Sequence, residues 1–169
     1  MAGVNWESLK RLLDENLSGL VLYARQWCDT PEDVVQDAFV AIMQESQSPD
    51  NPAAWLYRAV RNKALNAGRS SRRRARHEAV AAHRGDACFA ASNDDHLDAE
   101  TAAAALAGLP VEEREVIVAR LWGALTFEQI AELAGTSVST AYRHYQQGIA
   151  ALREKLEEGK CPQTVRTKT

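Results

Sequence analysis

The side chains best suited to chemistry in this chain are hydrogen-bond donors and cations at helical spacing, and what they suit is recognition of a polyanion. From Ser137 the chain reads Ser-Val-Ser-Thr-Ala-Tyr-Arg-His-Tyr-Gln-Gln. At 3.6 residues per turn, Val138, Ala141, Tyr145, Ile149, Leu152 and Leu156 share one face, leaving Thr140, Tyr142, Arg143, His144 and Gln147 free. Arg143 can pair with a guanine edge or a phosphate, Gln147 with adenine, and Ser139 and Thr140 with phosphate or base edges. A helix N-terminus capped by Ser137 itself favours phosphate. A second set is purely cationic: residues 58–76 hold eight bases (Arg58, Arg61, Lys63, Arg69, Arg72, Arg73, Arg74, Arg76) and no acid. Residues 1–50 have the opposite balance, nine acids against three bases. The net charge of −3 therefore averages over a dipolar molecule.

Catalytic sets are absent from the pattern. There is no Ser/His/Asp arrangement, no glycine-rich phosphate loop and no metal-ligand spacing. His77, His83, His96 and His144 are scattered, and Cys28, Cys88 and Cys161 form neither a disulfide framework nor a zinc site. We expect no enzyme activity, no cofactor and no metal. No apolar run has the length of a membrane span, and the N-terminus lacks a basic stretch followed by an apolar core, so a cytoplasmic chain is expected.

The elements that must carry these residues are all helical. Trp6, Leu9, Leu13, Leu17 and Leu20 predict a first amphipathic helix. Asp29-Thr30-Pro31-Glu32 starts a second, with Thr30 as N-cap. Its apolar face is Val35, Ala38, Phe39 and Ile42; Asp33, Gln36, Asp37 and Gln44 share another side. The Ser46–Pro52 segment is a loop. A helix follows from about Ala53 to Arg69, and "RSSRRRARH" either ends or extends it. Residues 78–98 are poor in large apolar side chains and read as a linker. Beyond it, Leu106, Leu109, Val116, Ile117, Leu121 and Trp122 form a core-facing set, with Glu112, Glu113 and Glu115 in a first turn that favours acids. Thr126 and Gln129 match a capping box, and Gly135 can take the left-handed conformation of a tight helix exit. Two helices folded across that turn make a helix-turn-helix, whose second helix enters the major groove; a plain helical hairpin with a solvated face is the other reading.

Three motifs in order, "PEDVVQDAFVAIMQ", "AAWLYRAVRNKALNAGRSSRRR" and "LPVEEREVIVARLWGALTFEQIAELAGTSVSTAYRHYQQGIAALREKL", resemble a bacterial RNA polymerase sigma factor of the extracytoplasmic-function type, over about residues 9–76 and 102–157. The resemblance implies an all-α fold of two small helical domains joined by a flexible linker. These are sigma region 2 at 1–76, the linker at 77–101, the sigma region 4 helix-turn-helix at 102–158 and a tail at 159–169. It implies that Glu32, Asp33, Gln36, Asp37 and Phe39 dock on core polymerase. It gives Asn51, Trp55, Arg58, Arg61, Asn62 and Arg69 to recognition and melting of the −10 element, Trp55 serving either the core or base stacking. Ser137, Ser139, Thr140, Tyr142, Arg143, His144 and Gln147 fall to the −35 element. Implied partners are the largest and second-largest subunits of core RNA polymerase, promoter DNA and an anti-sigma factor. Arg143-His144, Gln147-Gly148 and Asn66 depart from the family pattern, which leaves the promoter sequence open. The alternative function is a stand-alone helix-turn-helix regulator, which would have no use for the acidic helix or for "WLYRAVRN".

Overall fold

The computed structural model describes residues 6–78 and 104–158, and every described element is helical. Helix α1 spans Trp6–Ala24, α2 Pro31–Gln44 and α3 Pro52–Glu78; a helical turn at 104–107 precedes α4 at Val111–Leu121, α5 at Phe127–Ala134 and α6 at Val138–Glu158. The predicted linker beyond Glu78, with Asp86, Asp94, Asp95, Asp98 and Glu100, and the tail at 159–169 lie outside the described residues, as do Cys88, Cys161, His83 and His96.

Local chemistry explains the boundaries. Pro31 and Pro52 open α2 and α3, where a missing N–H costs nothing. Asn51 caps α3, its Oδ1 accepting the Ala54 N–H at 2.9 Å. Thr30 occupies the N-cap position of α2 but makes no side-chain cap bond, so Pro31 and the acids Glu32 and Asp33 start that helix without it. The arginine run extends α3 rather than ending it. The Thr126–Gln129 capping box is complete: the Gln129 N–H donates to Thr126 Oγ1 (3.3 Å) and the Thr126 N–H to Gln129 Oε1 (2.9 Å). Gly135 ends α5 at φ 69°, ψ 38°, in the left-handed region.

Helices α1, α2 and α3 pack as one bundle, and α4 packs on α5 and α6. Their cores are continuous. Leu20, Tyr23, Val35, Phe39, Ile42, Leu56, Tyr57 and Val60 belong to the same buried cluster as Val116, Val118, Ala119, Leu125 and Ile130, because α1 lies against α4 and α3 against α5. Gly19 lets the elements approach closely there: an added Cβ would stand 2.6 Å from the Tyr57 hydroxyl and 2.7 Å from Trp122 Cβ.

Four sequence expectations are corrected by this packing. Leu17 is 42% exposed, while its neighbour Asn16 is buried and donates from Nδ2 to the Leu12 carbonyl at 2.9 Å. Leu121 and Trp122, read as core, are 54% and 40% exposed, because the chain leaves α4 there to turn into α5. Val138 is 43% exposed, since α5 covers the helix-turn-helix core from Ala141 onward. Glu115, placed with Glu112 and Glu113 in the first turn, lies beyond that turn of α4 and is buried.

Candidate nucleic-acid interface

Helix α3 presents Arg58, Asn62 and Arg69 outward and holds Arg61 half-buried. Neither Arg58 nor Arg61 is a free cation. Arg58 Nη2 donates to Glu132 Oε1 of α5 at 2.6 Å, in an exposed pair. Arg61 Nε donates to Glu115 Oε1 of α4 at 2.6 Å, and its guanidinium lies 5.8 Å from the centre of the Trp27 ring. Tyr23 of α1 donates its hydroxyl to the same Glu115 oxygen at 2.7 Å. A carboxylate taken out of water needs such charged and hydrogen-bonding partners. Burial pulls the Arg61 pKa down, but its hydrogen bond to Glu115 and that carboxylate's charge more than offset this and leave it raised. Burial, with the Glu115 charge beside it, pushes Tyr23 well above the ordinary tyrosine value. Trp55 is half-buried, one part against the core and the rest open.

The second helix of the helix-turn-helix, α6, begins at Ser137, whose Oγ accepts the Thr140 N–H at 3.1 Å and lies 2.9 Å from the Thr140 hydroxyl. Ser139, Tyr142, Arg143, Gln146 and Gln147 are exposed, along one face at spacings of three and four. Tyr142 stands edge-on to Phe127 at 5.3 Å and its hydroxyl accepts from Gln146 Nε2 at 2.8 Å, which holds ring and amide outward together. His144 departs from the expected free face: it is half-buried and its Nδ1 is enclosed without a partner among the described residues, because Tyr145 and Gly148 draw that side of α6 onto α4 and α5. Gln146 was missed in the sequence, although it stands four residues after Tyr142.

On α2, Glu32, Asp33, Gln36 and Asp37 are exposed. Glu32 pairs with Arg25 at 3.2 Å, and Asp37 lies 3.8 Å from Lys63 Nζ. A hydrogen bond from its own backbone N–H in the first turn of α2, with Arg25 beside it, holds the Glu32 carboxyl below the usual carboxylate value. Phe39, expected among the docking residues, is 6% exposed and belongs to the core. Val40 and Met43 continue the open face instead, at 41% and 48% exposure. Among the described residues no cluster of His, Cys, Asp or Glu could hold a metal ion, and no helix is long and apolar enough to cross a membrane.

Comparison with known proteins adds two family models in tandem. Sigma-70 region 2 matches residues 12–74 and sigma-70 region 4 matches residues 100–152, between them the larger part of the 169 residues. The chain is similar in structure to the sigma factor RpoE solved in complex with the anti-sigma factor NepR from Bartonella quintana. The TM-score is 0.68 at 22% identity, over 89% of this chain and 98% of that one. It is also similar to CnrH in complex with the cytosolic domain of CnrY, with TM-score 0.56 and 24% identity over 91% and 90%. At these identities the likeness speaks for the fold. A search of curated proteins finds no match.

Proposed function

This chain belongs to the sigma-70 family, and we propose that it is a compact initiation factor of the extracytoplasmic-function type, acting in the cytoplasm. It binds core RNA polymerase, directs it to promoters and helps open the DNA, while nucleotide addition belongs to the polymerase and this chain catalyses nothing itself. The observation that carries this reading is the tandem of regions 2 and 4, in family order, on one chain whose described elements are all helical. Residues 1–76 and 102–158 serve as the two working domains. The open face of α2 (Glu32, Asp33, Gln36, Asp37, with Val40 and Met43) meets the polymerase. Asn51, Trp55, Arg58, Arg61, Asn62 and Arg69 serve the −10 element. Ser137, Ser139, Thr140, Tyr142, Arg143, Gln146 and Gln147 serve the −35 element. An anti-sigma factor is the expected protein regulator, since RpoE and CnrH were each solved with NepR and with CnrY respectively.

Purified chain added to core polymerase should yield promoter-specific transcripts that neither makes alone. A chain that bound duplex DNA unaided, bound no core polymerase and started no transcript would instead be a stand-alone helix-turn-helix regulator.

A further inference from the structure

The outer face of α6 holds two glutamines side by side, and they differ in one respect. Gln146 is anchored: its Nε2 donates to the Tyr142 hydroxyl, one turn back, at 2.8 Å. Gln147, also exposed, makes no side-chain hydrogen bond among the described residues.

The anchor is itself held. Tyr142 stands edge-on to Phe127 of α5, with ring centres 5.3 Å apart and planes at 85°. The centre of the Phe127 ring lies 5.5 Å from that of Tyr145 and 5.0 Å from the Arg120 guanidinium of α4. Arg120 Nη1 in turn donates to the Leu125 carbonyl at 2.7 Å. A line of contacts therefore runs from α4 through Phe127 and Tyr142 to an amide that faces the solvent. A free surface glutamine loses rotamer entropy when a ligand fixes it. For Gln146 part of that ordering is already present in the unbound protein.

The bond to Tyr142 uses one amide hydrogen of Gln146. The second hydrogen and the Oε1 carbonyl remain, a donor beside an acceptor. Adenine presents the complement in the major groove: N7 accepts and the N6 amino group donates. Guanine shows two acceptors there, thymine an acceptor and a methyl group, and cytosine a donor alone, so none of them satisfies both ends of the amide.

We propose that Gln146, oriented by Tyr142, selects adenine at one position of the −35 element, and that the neighbouring Gln147 does not set that position. Gln146 touches the base; Tyr142 is a positioning residue. The inference rests on the sigma-factor reading for its place at the −35 element.

The test presents the full chain with core RNA polymerase to a pool of random-sequence duplexes, then varies the enriched site one base pair at a time. One position should favour adenine about tenfold over each other base. Gln146→Ala should cut that preference to about twofold or less and leave the other positions as they were. Gln146→Arg should move it from adenine to guanine, whose two acceptors suit a guanidinium. Tyr142→Phe keeps the ring on Phe127 and removes only the hydroxyl. It should lower the adenine preference about threefold at that position alone, whereas a loss of helix packing would weaken every position together. Gln147→Ala should leave the adenine position unchanged. An enriched site with no adenine-selective position, or an adenine preference that both Gln146 variants left intact, would overturn the assignment without touching a holoenzyme that still selects promoters. A chain that bound no core polymerase but selected duplexes unaided, with Gln146→Arg exchanging adenine for guanine at one position, would uphold the assignment and defeat the sigma-factor reading.

Discussion

Gly135 sets the angle between the two helices of the helix-turn-helix, and replacing it separates backbone from packing effects. Its φ of 69° and ψ of 38° are left-handed, and a Cβ built there meets nothing within 4 Å. A Gly135→Ala substitution therefore carries no steric penalty, only the cost of holding an L side chain in that region, ~1–2 kcal/mol. Loss of glycine's freedom in the unfolded chain returns ~0.4–1 kcal/mol. The net expectation is a destabilisation of about 1 kcal/mol, with Gly135→Asn costing less because its short polar side chain tolerates this conformation. Ala124, eleven residues earlier, supplies the converse case: it is a non-glycine residue at φ 49° and is exposed. Ala124→Gly should stabilise by about 0.5–1 kcal/mol by the same arithmetic. Urea denaturation with a constant m-value reads all three variants. A stabilising Gly135→Ala, a loss above about 3 kcal/mol, or a destabilising Ala124→Gly would refute the reasoning, because each requires something other than backbone conformation to dominate.

Three further predictions concern the cap, the buried tyrosine and the free face. Thr126→Ala breaks the capping box and should cost about 1 kcal/mol in the same denaturation assay. Tyr23 has its folded-state pKa raised above the unfolded value near 10, so its contribution to stability is complete below pH 10 and lost as pH rises through the folded value. Urea midpoints should fall above pH 10, less steeply in Tyr23→Phe, and absorbance at 295 nm should show this tyrosine ionising only above that pH. Arg143→Ala should weaken binding to duplex promoter DNA and reduce the log–log salt slope by about 0.9, the share of one phosphate contact; an unchanged slope would remove Arg143 from the interface.

Local structure was readable because it depends on neighbours in sequence. The Thr126–Gln129 box, the Gly135 exit, the Ser137 cap and the apolar spacing through Ala141, Tyr145 and Leu152 all follow from residues within a turn or two of one another. The exposed run Ser139, Arg143, Gln147 follows from the same periodicity. Tertiary partners were not readable. Glu115 looks like an ordinary first-turn acid, and its pairing with Tyr23 spans 92 positions. A signal did exist: Glu115 shares a helical face with Val118 and Ala119, a poor place for an unpartnered carboxylate. Arg58 and Arg61 were recognisable as a cationic track, but cation spacing says nothing about which anion occupies it. His144 shows the limit of a helical wheel at its margin, where neighbouring helices decide whether a residue faces water.

The 92-residue separation between Tyr23 and Glu115 also has a consequence in time. Chain growth at about 5–20 residues per second puts Glu115 into the peptide about 5–18 seconds after Tyr23. Helices α1 to α3 contact one another locally and can assemble as they emerge, whereas closure over α3 must await α4 and α5. Each newly made molecule thus passes through an interval in which its arginine helix is uncovered, and the rate of translation, rather than any ligand, sets how long that interval lasts.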